Sequence, residues 1–339
     1  MRLSELDYEL PEEMIAQYPL EQRAQARLMV VERCSGAISH SRFYKLPRGL
    51  REGDLLVLND TSVIPARLMA RKESGGAVEL LLVRPVENIP GQWQALVRTH
   101  RTLRAGTRLM LRDGCMLRIV AQCRPGRVLL ESTDSRSIED ILAKVGTPAL
   151  PHYIRRAPTA TDITEYQTVY AAKPGAIAAP TAGIHFTPEL LNQLREAGIP
   201  ATFITLHIGP GTFTPLRAPQ VEHHSMEAEW YTIPDAGMRA IELARRTGGR
   251  VIAVGTSTAR ALESYAITGE CEGFTGLFIF PGFRFKLVDA MVTNFHMPRS
   301  TVLALVMALA GRELILRAYA EAIRHRYRFL SYGDAMLII

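Results

Sequence analysis

Four stretches of this chain share one form, an apolar run that gives way to glycine and small hydroxyl residues. The first is Ile177-Ala178-Ala179-Pro180-Thr181-Ala182-Gly183-Ile184-His185-Phe186. The second runs from Phe203 through Thr205, His207 and Gly211-Thr212 to Phe213. The third is Val251-Ile252-Ala253-Val254-Gly255-Thr256-Ser257-Thr258-Ala259-Arg260, and the fourth runs from Asp289 to Ser300 around Thr293-Asn294-Phe295-His296. Glycine lets backbone approach a ligand, hydroxyls supply hydrogen bonds, and a helix N-terminus favours negative groups. Together they describe a polar pocket beyond strand ends, where layered α/β folds collect ligands. None carries a Walker lysine loop or spaced dinucleotide glycines, so ATP hydrolysis and nicotinamide redox chemistry lose ground.

Within these stretches, His185 and His207 end apolar runs beside glycine, where a neutral imidazole can act as base or acid. Each can equally be a buried histidine satisfied by backbone, and the same choice applies to His296. The acids nearest such turns are Asp60, Glu229, Asp289 and Asp334. The run Tyr327 to Asp334 alternates aromatic and polar residues, which suits either base stacking or a terminal strand on the core.

These groups need a scaffold. The chain has 339 residues, enough for two domains, with 47% hydrophobic and 22% charged residues, which is ordinary globular composition. Its longest apolar helix candidate, Val302 to Ala310, is too short to span a bilayer. Met1 to Leu10 carries Glu5, Asp7 and Glu9 and is not expected to be a signal peptide. The four cysteines form no C-x-x-C pair, so reduced cytosolic thiols and no structural metal are expected.

The net charge is +6. Eight arginines (98, 101, 104, 108, 112, 118, 124 and 127) fall in one stretch that holds a single acid, Asp113. Their forked guanidinium groups suit an RNA backbone, with Arg98 and Arg101 as first candidates. The alternative is the wet face of a sheet.

Three textures follow one another. Met1 to Ala66 is mixed and includes an extended run, Asp54 to Leu58, before Asn59-Asp60-Thr61-Ser62. From Arg67, short strand-like runs recur at Val78 to Val83, Trp93 to Val97, Arg108 to Leu111, Met116 to Val120 and Val128 to Leu130. Asp113-Gly114 marks a hairpin, and the spacing suggests a small closed barrel. A helix over 138–145 follows, then a linker from Pro148 to Pro158. After Thr161 the pattern alternates strand and helix, with helices at 187–197, 235–246, 300–310 and 313–326. Strands are expected at Ala201 to His207, Val251 to Val254 and Leu277 to Phe280. The expected fold is a layered mixed α/β domain made of residues 1–66 and 154–339, with residues 67–153 inserted as a small β-barrel that contacts RNA.

The same stretches carry a resemblance. Tyr8-Glu9-Leu10-Pro11-Glu12-Glu13, Ile15-Ala16-Gln17-Tyr18-Pro19, Leu58-Asn59-Asp60-Thr61 and Ile64-Pro65-Ala66-Arg67 open it. Tyr166-Gln167-Thr168-Val169-Tyr170, Ala179-Pro180-Thr181-Ala182-Gly183, Thr205-Leu206-His207, Gly211-Thr212-Phe213, Thr293-Asn294-Phe295-His296 and Tyr332-Gly333-Asp334-Ala335-Met336 continue it. In these the chain resembles the S-adenosylmethionine:tRNA ribosyltransferase-isomerases of queuosine biosynthesis. The resemblance implies an α/β domain with an inserted barrel. It also implies transfer of the ribosyl part of S-adenosylmethionine to 7-aminomethyl-7-deazaguanine at the tRNA wobble position, giving epoxyqueuosine and releasing adenine and methionine. S-adenosylmethionine is then a co-substrate, no cofactor is held permanently, and a cytoplasmic monomer is expected.

Three positions depart from the family pattern. Met226-Glu227-Ala228-Glu229 stands where Met-His-Ser-Glu is usual, Glu165 precedes Tyr166 where arginine is usual, and Thr256-Ser257-Thr258 replaces a run beginning with two threonines. The chemistry needs a base, a donor for departing adenine, and a neutral amine. His185 or His207 is the expected proton carrier, with Asp60 and Glu229 as acids or amine-orienting groups. Thr181, Thr205, Thr256 and Asn294 would hold ribose or adenine, and Gly183, Gly211 and Gly255 would admit close backbone approach. Thr212 and His296 complete the expected substrate contacts. Two rivals remain at this stage: a non-catalytic RNA-binding protein and a methyltransferase using the same co-substrate.

Overall fold

A computed structural model describes residues 1–339 apart from Arg101, Thr214, Pro215 and Arg217, and without the side chains of Thr212 and Phe213. The expected contacts of Arg101 and of the Thr212 side chain therefore lie outside the described residues.

The larger layer is a nine-stranded sheet. Its parallel centre is Ala201–Leu206, Leu55–Asn59, Val251–Val254 and Ala290–Asn294, in that spatial order. Leu55–Asn59 is buried at every position, as are Val251–Val254 and Ala290–Asn294. Continuous apolar runs form such strands because both faces are covered. Side chains alternate between those faces. Leu55, Val57, Val251 and Ala253 pack toward the helices Asp235–Arg246, Thr256–Thr268, Thr301–Ala310 and Arg312–Arg324. Leu56, Leu58, Ile252 and Val254 pack toward the helix Pro188–Glu196 on the other face. Each fully buried aliphatic contributes roughly 1.5–3 kcal/mol, so a charge at Val57 would break the sheet's centre.

On one side, Ala335–Ile338 pairs antiparallel with Ala290–Asn294, and the hairpin Arg27–Val31 with Ile38–Arg42 extends the edge. Sequence texture did not expose this hairpin. Its outer strand reads Ile-Ser-His-Ser-Arg and is mostly exposed, so it lacks apolar alternation. On the other side, Glu229–Thr232 and Glu272–Thr275 close the sheet.

The strand expected at Leu277 to Phe280 does not form. The Leu277 amide donates to the Thr275 hydroxyl at 3.1 Å, and its carbonyl accepts from Arg260 at 3.0 Å. Side chains thus take the groups a ladder would have used, and Glu272–Thr275 supplies the edge instead.

The closed barrel has six strands, in the order Arg127–Ser132, Gln92–Arg98, Ala77–Pro85, Arg67–Lys72, Arg108–Leu111 and Met116–Arg124. Asp113-Gly114 turns the last hairpin, with Met110 opposite Met116 and Gly114 at φ +84°. Alternate residues such as Val78, Leu80 and Leu82 fill its interior. The helix Ile138–Val145 plugs it with Ile138, Ile141 and Leu142, capped by Ser137, whose hydroxyl accepts from the Asp140 amide. Chain entry and exit meet: the Arg67 amide donates to the Thr147 carbonyl at 3.1 Å, and the Thr147 amide returns the bond at 3.0 Å. Among the described residues, no helix is long and apolar enough to cross a membrane.

Candidate active site

The parallel strands end on one side of the sheet, and an open cavity of about 860 Å³, counting the space at its mouth, sits there. Its lining sets a few polar groups among apolar side chains, as small-molecule sites do. Val254 runs into Gly255, whose φ of +93° turns the chain into the helix Thr256–Thr268. The first turn of that helix presents Thr256 and Ser257 to the cavity. The strand Ala290–Asn294 delivers Asn294 and then His296, and the turn Thr181–Gly183 delivers Thr181. Thr181, Gly255, Thr256, Asn294 and His296 thus converge; the last four follow strand ends as expected, whereas residues 177–180 form no strand and Thr181 arrives on the turn Thr181–Gly183.

His185 stands behind this wall. It is buried, packed 5.0 Å from the Phe43 ring, and its Nε2 meets the Asn294 amide nitrogen at 3.1 Å. Asn294 also accepts from the Thr181 hydroxyl at 2.8 Å and donates to the Asp334 carbonyl at 3.3 Å. Burial pushes the His185 imidazole down to about 4. His296 lies in the wall with Nε2 2.8 Å from the Thr293 hydroxyl, and burial takes it down to about 3. Both rings are neutral at physiological pH.

A second polar group lies over the ends of Leu55–Asn59 and Ala201–Leu206. Thr205 donates to Asp60 at 2.6 Å, and Thr61 meets His207 Nδ1 at 2.8 Å. His207 stacks on Trp230 with ring centroids 5.1 Å apart, and burial lowers its pKa. Asn59 joins this group to the cavity. Its amide donates to the Leu206 carbonyl at 3.0 Å and to the cavity residue Ser257 at 3.2 Å, while its oxygen accepts from the Thr61 and Leu206 amides. A fully buried amide with every valence used holds two strand ends in register.

Glu229 lies apart from the cavity wall. It is buried in an ion pair with Arg260 and accepts from the Gly209 amide at 2.7 Å. Arg260 also donates to the Leu277 and Thr275 carbonyls. The pair clamps the loop that follows His207. Asp289 and Asp334 likewise serve backbone, accepting from the Val251 and Arg328 amides at 2.8 and 2.7 Å. Gly183 fits against Tyr170, whose oxygen would lie 2.0 Å from a Cβ there. Gly211 sits against Glu227.

Sequence reasoning missed Tyr153 and Arg299 in the cavity wall. Tyr153 falls in the stretch read as a linker, and its hydroxyl meets Ser331 at 2.7 Å. No local pattern marks a linker that folds back over a pocket.

The sequence pattern of the family described as "Queuosine biosynthesis protein" matches residues 3–338. The chain belongs to that family. It is 47% identical, over the whole of both chains, to a Geobacter metallireducens protein named S-adenosylmethionine:tRNA ribosyltransferase-isomerase. A Rubrobacter xylanophilus protein of the same name is 50% identical over all of this chain and 98% of its own length. A crystal structure of the S-adenosylmethionine tRNA ribosyltransferase from Thermotoga maritima aligns over 99% of this chain and 100% of its own, with 38% identity and a TM-score of 0.57.

Within the queuosine biosynthesis family pattern, the Glu227 departure has a structural partner. Glu227 takes the guanidinium groups of Arg124 and Arg127, the latter at 2.6 Å. It therefore ties the barrel to the segment beside Gly211. At the second departure, the Glu165 and Thr164 carbonyls accept from Arg23. At the third, Ser257 keeps a hydroxyl in the cavity.

Proposed function

We propose that this chain transfers and isomerises the ribosyl group of S-adenosylmethionine onto 7-aminomethyl-7-deazaguanine at the tRNA wobble position. Epoxyqueuosine forms, and adenine and methionine leave. The observation that carries this reading is full-length similarity, at 47–50% identity, to relatives named for that activity. The cavity supports it with a matching set of groups.

S-adenosylmethionine occupies the cavity in this reading. Thr181, Thr256, Ser257 and Asn294 offer hydrogen bonds to ribose and adenine, and Gly255 admits backbone contact. The sulfonium is a cation, so neutral His185 and His296 suit its surroundings: neither adds like charge. The sulfonium acidifies the ribose 5′-CH₂, and the polar group at the neighbouring strand ends is the source of proton transfer. There His207 takes a proton and Asp60 orients the incoming amine, while Thr61 and Thr205 hold the two in place. His185 acts through Asn294, and Glu229 through the Gly209 loop. Both are positioning residues.

The barrel supplies the RNA contact. Arg98, Arg104, Arg108 and Arg112 are exposed and have no ion-pair partner among the described residues. Such guanidinium groups suit phosphate. In this reading the enzyme works in the cytoplasm, where tRNA and S-adenosylmethionine meet.

The test is product analysis with S-adenosylmethionine and tRNA bearing 7-aminomethyl-7-deazaguanine. Adenine, methionine and a ribosyl-sized mass gain on tRNA are expected. A methyl-sized gain, or tRNA binding without turnover, overturns the reading.

A further inference from the structure

Beyond the cavity, His40 meets two residues far from it in sequence, Glu321 and His325, at the outer edge of the large sheet. His40 stands on the edge strand Ile38–Arg42. Glu321 and His325 stand one turn apart at the end of the helix Arg312–Arg324. His325 Nε2 is 2.8 Å from Glu321 Oε1, and His40 Nε2 is 3.4 Å from the same oxygen. The two imidazole rings lie 4.5 Å apart, tilted by 34°. One ligand atom from each residue falls within 4.8 Å of the others.

We infer that His40, Glu321 and His325 form a binding site for a divalent transition-metal ion of the zinc class. A tetrahedral ion with bonds of about 2.0–2.1 Å holds its ligand atoms roughly 3.4 Å apart, so small side-chain adjustments complete three corners. Two imidazoles and one carboxylate suit zinc, nickel or copper better than magnesium or calcium. An outer contact is present too: His40 Nδ1 meets the Tyr327 hydroxyl at 2.8 Å. Metal-binding histidines gain orientation and basicity from such a bond at the other ring nitrogen. His40 and His325 line a cleft together with Arg27, Arg42 and Lys45. These cations, and Arg324 on Glu321 at 2.6 Å, weaken affinity, so micromolar binding is expected. Arg324 is largely exposed and free to release the carboxylate.

The site is separate from the cavity and independent of the function proposed above. Its consequence is mechanical. A bound ion pins the end of the last helix to the edge strand, immediately before the run Tyr327 to Asp334. The Asp334 carbonyl at the end of that run holds Asn294.

The experiment uses untagged full-length protein, stripped with chelator and then titrated with Zn²⁺ by calorimetry and with Co²⁺ by visible absorption. One saturable site is expected, with a rise in Tm on Zn²⁺ addition. Affinity falls roughly tenfold or more in His325→Ala and in His40→Ala, and both variants lose the Tm rise. Because these positions are partly exposed, the fold survives, and circular dichroism confirms it. The cobalt spectrum should lack a thiolate charge-transfer band, since Cys34, Cys123 and Cys271 are also exposed. No saturable binding, binding unchanged in the His40→Ala/His325→Ala double variant, or a thiolate band each overturns the inference.

Discussion

Asn294 meets His185 Nε2 at 3.1 Å through the amide whose oxygen accepts from the cavity residue Thr181. A buried histidine thus reaches the cavity only through another side chain. His185 controls which way the Asn294 amide points, because an acceptor nitrogen fixes the donor end.

His185→Ala should lower kcat by about 100-fold, the scale of an ångström-level misplacement, with a smaller change in the KM for tRNA. His185→Gln, which can still accept the Asn294 bond, should recover part of the loss. Adenine release under saturating S-adenosylmethionine measures both. Near-normal release by His185→Ala would remove the residue from the positioning role. Thermal melts separate this from simple unfolding.

The two depressed histidines make stability depend on pH. His185 is held near 4 and His296 near 3, while both titrate near 6.5 when unfolded. Above pH 6.5 both states are neutral, and neither ring contributes a slope. Below it the unfolded chain binds protons that the folded chain refuses. Stability should therefore fall as pH drops from 6.5 toward 4, by at most about 1.4 kcal/mol per pH unit for each ring. Urea unfolding at pH 7.5, 6 and 5 tests this. His296→Gln should flatten the fall, and an unchanged slope in that variant would contradict the assignment.

Glu229 and Arg260 are both buried, so cutting one partner leaves a stranded charge. Glu229→Ala should cost about 3–5 kcal/mol. By contrast, Glu227 and Arg124 are partly exposed, and Glu227→Ala should cost no more than about 1 kcal/mol. Denaturant midpoints for the two variants should differ accordingly. Equal losses would place the main anchor of this region at the barrel contact instead.

Replacing Arg98, Arg104, Arg108 and Arg112 with alanine should weaken tRNA binding without weakening S-adenosylmethionine binding. Each lost phosphate contact should reduce the slope of log affinity against log salt by roughly one. Filter binding across a salt series reads both effects. An unchanged slope would move the RNA face away from this side of the barrel.

Gly183→Ala tests the packing under the cavity. Its Cβ would fall 2.0 Å from the Tyr170 oxygen and 2.9 Å from a Thr168 methyl. The Tyr170 hydroxyl is buried, so the clash should cost roughly 1–3 kcal/mol and displace the Thr181 turn. A wild-type melting temperature would show that the turn can yield.

Much of this architecture was legible because periodicity and composition report local burial. Val251–Val254 is apolar throughout, and only a strand covered on both faces needs that. Asp113-Gly114 turns a hairpin because Gly114 takes a positive φ. Thr187 and Pro188 start a helix, with the Leu190 amide 3.2 Å from the Thr187 hydroxyl. The hairpin at Arg27 and Ile38 was not legible, because a mostly exposed edge strand has no reason to alternate. The Leu277 run misled, because apolar character does not say whether backbone groups will find a ladder or side chains such as Arg260.

The site divides in the same way. The amino-acid sequence alone placed hydroxyls, glycines and histidines after apolar runs, and parallel strands then had to deliver Gly255, Thr256 and Asn294 to one side, where the turn Thr181–Gly183 meets them. Which histidine touches the cavity was settled only by packing: His296 lines it, while His185 is screened by Asn294. The fold also made Glu229 a buried clamp, brought Tyr153 back over the pocket, and gathered His40, Glu321 and His325 at one edge. Local sequence determines an element's type and its buried face. Contacts between residues separated by a hundred positions or more depend on how those elements close around one another, and no short pattern encodes that.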